Sequence, residues 1–97
     1  NKTELTAQLA GTLQRERQLT RQMTRLLGDL IEQAQRARLI PATQDPTSLG
    51  LLLYSSLMGI THTWLFSPRL FSLKDRAPHF SAALLALLHT DPGTPAT

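Results

Sequence analysis

The 97-residue sequence contains no cysteine, which excludes disulfides, thiolate zinc sites and cysteine nucleophiles together. That absence fits a reducing compartment, with a cytoplasmic location as the default. Nor does the chain open like a secreted one. It begins NKTEL, without an initiator methionine and without the basic, apolar, small-residue order of a signal peptide, so it is expected to start inside a longer gene product. Glycine-rich phosphate loops, nucleophile elbows and closely spaced carboxylate pairs are all missing, and no enzyme is expected. His62, His79 and His89 are the only histidines, and none has a second ligand at metal spacing on its own helix. Each reads as a structural or solvated histidine, with no metal and no cofactor implied.

Charge is also missing from the middle of the chain. From Pro46 to Pro68, PTSLGLLLYSSLMGITHTWLFSP, no residue is formally charged at pH 7 unless His62 is protonated. Wound as a helix, the stretch places Leu49, Leu53, Leu57, Ile60 and Trp64 on one face, with Leu51, Tyr54, Met58 and Leu65 on the neighbouring one. So wide an apolar arc is expected to be covered on two sides. The rest of the circumference is small or weakly polar: Ser48, Ser55, Ser56, Gly59, His62 and Thr63.

No proline interrupts Glu4 to Leu39, and the periodicity predicts one helix over residues 4–39. Leu5, Leu9, Leu13, Leu19, Met23, Leu26, Leu27, Leu30, Ile31 and Ala34 fall to one side, with Arg17, Arg21 and Arg25 opposite. Unbroken, such a helix reaches roughly 50 Å, whereas a compact domain of this size has a radius of gyration of about 12–13 Å. Either it bends, with Gly11 and Gly28 as its weak points, or part of it packs on something else. Thr12, Glu16 and Thr20, four apart, interrupt the leucine side near Met23. A carboxylate there is expensive unless paired or wet. A bend near Gly11 that turns Glu16 toward water or an arginine accounts for it. So does a helix that lines a partly polar cavity.

Punctuation sets the remaining elements. Arg36 and Arg38 suit the negative end of the first helix, and Pro41 prevents its continuation. Asp45 before Pro46 reads as an N-cap with proline at the first helical position, opening a second helix over 46–66. Leu70 and Phe71 are too apolar for a solvated turn and are expected to plug the end of the core. Ser72 with Asp75 is a capping-box signature for a third helix over 72–89, although Pro78 threatens to shift its start to Ala77 or to kink it. That helix carries an apolar stripe of Leu73, Ala77, Phe80, Leu84, Leu87 and Leu88, and a shallow face of Ala82, Ala83 and Ala86. The fold class is all-α: residues 1–90 form one unit, and 91–97, DPGTPAT, have the composition of a disordered tail.

A formal charge of +3 and a pI of about 10.2 do not make a nucleic-acid surface, because the excess is arginine on one helix with no base-reading element beside it. The uncharged stretch is long enough to cross a bilayer. Its terminal prolines, hydroxyl side chains and histidine, together with the amphipathic third helix, argue for a helix inside a soluble dimer instead, with no membrane. The two apolar faces of the second helix and the alanine face of the third exceed what the first can cover. A homodimer is therefore expected through Leu51, Tyr54, Met58, Leu65, Ala82, Ala83 and Ala86.

The segment from Arg36 to Leu88 resembles the C-terminal portion of TetR-type transcriptional repressors, in particular the subgroup that controls multidrug efflux pumps. The similarity lies in Arg38 to Pro41, the acidic helix start Asp45, Gly59, the Trp64-Leu65 pair, Pro68, and Phe71 to Leu73. The stretch before Arg36 matches only in helical character. The resemblance implies an all-helical homodimer in which the last two helices of each subunit form a four-helix bundle with the symmetry mate. The long preceding helix then supplies one wall of a pocket for a hydrophobic small-molecule inducer, with Thr12, Glu16, Thr20 and Met23 as candidate ligand residues. Operator DNA would be bound only through N-terminal helices that this chain lacks. The competing expectation is a stand-alone helical oligomerisation or adaptor module without ligand. A helix-turn-helix upstream of Asn1 separates the two.

Overall fold

The computed structural model describes residues 1–91, which form three helices and no strand. The expected tail, residues 91–97, lies outside the described residues apart from Asp91. Helix α1 runs Lys2–Arg36 without interruption, shifted from the expected 4–39 at both ends. At its start, Asn1 accepts the Glu4 amide at 2.9 Å, an N-cap that recruits the residues before Glu4 into the helix. At its end, the Leu39 amide donates to the Ala34 carbonyl at 2.9 Å and the Arg38 amide to the Gln35 carbonyl at 3.1 Å. These paired bonds make a Schellman turn, and they require Arg38 to take a left-handed backbone with φ of 61°.

Helix α2 spans Pro46–Phe66, as the flanking prolines predict. Asp45 caps it by accepting both the Ser48 amide at 2.9 Å and the Ser48 hydroxyl at 2.7 Å. Helix α3 spans Leu73–His89 and is capped by Ser72, which accepts the Asp75 amide at 3.2 Å. Pro78 lies inside α3 and does not move its start to Ala77. The bond it cannot make falls at exposed Lys74, where water can satisfy the carbonyl. Phe71 plugs the loop end as expected, meeting Phe80 edge-on with ring centroids 5.7 Å apart. Leu70 does not join it and stays exposed.

Two glycines decide how α1 and α2 meet. A Cβ on Gly50 would stand 2.7 Å from the Gly28 nitrogen, 3.0 Å from its Cα and 3.1 Å from the Thr24 carbonyl oxygen. The backbones therefore touch at this crossing. Gly50 is what lets α2 approach; Gly28, a weak point by propensity alone, supplies the backbone it meets, and a Cβ there would stand at ordinary contact, 3.5 Å from the Pro46 carbonyl oxygen. Ile31 at 5% exposure and Leu49 at 4% form the apolar core beside it, with Leu53, Ile60 and Trp64 of α2 half-buried further along. Helix α3 offers half-buried Leu73, Phe80, Leu84 and Leu88, while Ala77 and Leu87 of its expected stripe are exposed. It leans only sparsely on α2, and its backbone does not approach α1.

Candidate ligand-facing and association surfaces

Helix α2 meets the leucine stripe of α1 only along its edge, at Ile31. The α1 residues it buries are Gly28, Ile31 and Gln35, a line that rises along the edge of the stripe and continues the edge set by Thr20 and Thr24. Leu5, Leu9, Leu19, Met23, Leu26 and Leu30 consequently remain exposed. The candidate ligand residues divide between the two environments. Each four-residue step advances about 40° around a helix, so Thr12, Glu16 and Thr20 drift across roughly 80° and do not stack in one line. Thr12 stays on the open side, where its hydroxyl donates to the Gln8 carbonyl at 3.0 Å and accepts from the Arg15 guanidinium at 3.3 Å. Glu16 is exposed and, among the described residues, has no ion-pair partner. Met23, two turns further on the same side, is also exposed. Thr20 has rotated toward α2: its hydroxyl donates to the Glu16 carbonyl at 2.9 Å and lies 3.4 Å from the Tyr54 hydroxyl.

That contact joins one candidate ligand residue to one candidate interface residue, since Tyr54 is half-buried against α1. The other interface candidates on α2, Leu51, Met58 and Leu65, are exposed. Beside them His62 and Phe66 pair their rings at 4.5 Å, tilted by 30°. Ala82, Ala83 and Ala86 are likewise exposed on α3. Three surfaces are thus unoccupied: the α1 stripe, one long side of α2 and the outer face of α3.

A shallow cleft flanks the helix crossing, lined by Arg21, Thr24, Arg25, Asp29, Glu32 and Thr47 among others. Its charges are of both signs, which suits solvent better than an anion. Among the described residues no cluster of His, Asp and Glu is placed to hold a metal ion. The Ser48 hydroxyl bond, helped by the Ser48 amide, holds the Asp45 carboxyl below its usual value.

The polar link at the other end of the molecule is not evident from sequence pattern. Buried Gln35 donates its side-chain amide to the Gln44 carbonyl at 2.8 Å. The Gln44 side-chain amide in turn donates to the carbonyls of Leu87 at 2.9 Å and Thr90 at 2.8 Å. Gln35 sits at the edge where Gly28 and Ile31 are buried, and an amide at that position signals an internal partner.

Residues 1–90 match the C-terminal region of MAATS-type transcriptional repressors, a TetR-type family. The chain belongs to that family. No curated protein and no solved structure matches it. As a TetR-type C-terminal region it is part of a transcription regulator, and the residues that carry the resemblance are mostly architectural. Arg38 closes α1, Asp45 caps α2, Trp64 is half-buried, and Pro68 follows the α2 C-cap at Ser67. Helix α2 is long and apolar enough to cross a membrane by length and composition, with a mean hydropathy of 1.3 over its most apolar window.

Proposed function

We propose that this region senses a hydrophobic ligand and dimerises a TetR-type repressor of a multidrug efflux operon, acting in the cytoplasm. The observation that carries the reading is the placement of α2 beside the α1 stripe. It leaves the apolar stripe of α1 free to wall a pocket, and exposed apolar residues on α2 and on α3 free for a second copy. Thr12, Glu16 and Met23 lie on the first, and Thr20 borders it through Tyr54. Leu51, Met58 and Leu65 are exposed on α2 and Ala82, Ala83 and Ala86 on α3, which supports their use in association. A ligand that binds one spacing of the dimer better than another shifts the population away from the DNA-competent form by its differential affinity, and by no more than that. Operator contacts belong to helices outside this region.

Glu16 gives the efflux reading its chemistry. A carboxylate among leucines attracts cationic amphiphiles, a common class of efflux substrate. Removing one partner of a desolvated charge pair typically costs about 2–5 kcal/mol. In a repressor carrying this region, Glu16→Gln should weaken a cationic ligand about tenfold or more and leave a neutral ligand of similar size nearly unchanged. Calorimetric titration with one ligand of each kind tests this. Equal effects on both, or none on either, would make Glu16 an ordinary surface residue.

A further inference from the structure

Helices α1 and α3 do not approach each other, yet both end on the same loop residue. The Gln44 carbonyl takes the Gln35 amide from α1 at 2.8 Å, and the Gln44 side chain reaches the Leu87 and Thr90 carbonyls of α3 at 2.9 and 2.8 Å. The last carbonyls of a helix have no i+4 amide donor; Gln44 supplies a donor to the Thr90 carbonyl and a second one to the Leu87 carbonyl, which also takes the Thr90 amide at 3.3 Å. Gln35 is only 8% exposed, and an unpaired amide at that depth would be penalised, which fixes the position of the Gln44 carbonyl. Because Asp45, the next residue, caps α2 through Ser48, the Gln44 backbone is pinned from both sides. Its side chain therefore holds α3 from a fixed point.

We infer that Gln44 is a positioning residue that ties the C-terminal end of α3 to the last turn of α1. Its functional weight rests on the ligand and dimer reading above, since it would pass displacements of the ligand-facing helix to a helix of the proposed dimer face. The link itself does not depend on that reading. A purely local cap on α3 would involve Gln44 alone, whereas a link must be felt from Gln35, which touches no part of α3. Coupling must also be reciprocal, so disturbing Gln44 should loosen both ends.

The test is amide hydrogen exchange on the full 97-residue chain, comparing wild type with Gln35→Met, Gln44→Met and the double variant. Methionine keeps the side-chain length and removes the donor. Gln44→Met should speed exchange of the Leu88, His89 and Thr90 amides about tenfold and those of Ala37, Arg38 and Leu39 about threefold. Gln35→Met should speed the same α3 amides at least threefold, and the double variant should exceed Gln44→Met by little, because both changes break one chain of bonds. Wild-type α3 exchange in Gln35→Met, or fully multiplicative effects in the double variant, would overturn the link. Retained protection at Ile31 and Leu49 shows that the crossing is intact. If Gln35→Met does not fold, Gln44→Met decides alone, and loosening confined to α3 overturns the inference. Readout in the protein's own amides separates this outcome from any failure of ligand binding or dimerisation.

Discussion

Arg38 sits in a left-handed conformation, φ 61°, that the two Schellman hydrogen bonds impose on it. A side chain with a Cβ pays about 1 kcal/mol there that glycine does not. Arg38→Gly should therefore raise stability by up to about 1 kcal/mol, read as an increase of about 4–8 °C in Tm for a domain this small; a decrease would show that Arg38 holds its place through contacts of its own. Asp45 offers a pH handle of known sign. Its carboxyl titrates below the ordinary aspartate value in the folded chain because the Ser48 hydroxyl and amide prefer the carboxylate. The folded state thus binds the proton less readily than the unfolded one, so the contribution is complete at pH values well above the ordinary carboxyl range and is lost as pH falls through the lower folded value. Urea midpoints of wild type and Asp45→Asn, measured from pH 6 downward, should converge at the acid end. A constant gap would assign the cap to hydrogen bonding alone. Asp45 and its role were legible because capping is written in residue type. Arg38 was not, since a left-handed residue other than glycine or asparagine carries no local signal.

At the scale of elements, the boundaries of α2 and the existence of all three helices were readable from proline, capping and period. The face that α1 presents to α2 was not. Periodicity finds the richest apolar arc, and by that criterion the leucine stripe should meet α2. Backbone approach is decided by what the closest residue lacks, and Gly50 allows a contact with the Gly28 backbone that no leucine ridge permits. The two glycines should respond differently to alanine. At Gly50 a Cβ meets the Gly28 and Thr24 backbone at 2.7–3.1 Å, and separating the helices to admit it costs about 1–3 kcal/mol. Helix propensity returns at most about 1 kcal/mol, so Gly50→Ala should destabilise. At Gly28 the nearest atoms are 3.5–3.9 Å away, ordinary contact distance, so Gly28→Ala should be neutral or stabilising by up to about 1 kcal/mol. Thermal unfolding of both variants orders them, and a reversed order would mean that the crossing is looser than its geometry indicates. The same blind spot hid the candidate site: four-residue spacing suggested that Thr12, Glu16 and Thr20 act as a row, but the drift of the helix hands Thr20 to Tyr54.

For the molecule as a whole, the decisive quantity is surface left over. A compact protein of this mass exposes about 5,500 Å², whereas this chain exposes 7916 Å². Its radius of gyration is 17.5 Å against about 12.5 Å for a compact chain of the same length. The excess, about 2,400 Å² by that scaling, is larger than the roughly 800 Å² per partner that a standard interface removes. One standard dimer contact on α2 and α3 would therefore not make the chain compact, which leaves the α1 stripe available for a different covering. This separation predicts how variants on the two surfaces should differ. Met58→Lys places a charge in the uncharged face of α2, where burial against a second copy would desolvate it, and should shift a dimer at tens of micromolar to monomer without loss of helical circular dichroism. Leu26→Lys on the α1 stripe should leave the dimer constant unchanged and reduce binding of a hydrophobic dye. Unfolding of the wild type should also occur at higher temperature as protein concentration rises, because association draws the equilibrium toward the folded form. Sedimentation equilibrium on the three proteins checks the assignment. A wild-type chain that is monomeric and well folded at that concentration, or a dimer broken by Leu26→Lys and not by Met58→Lys, would exchange the roles of the two surfaces or remove one of them.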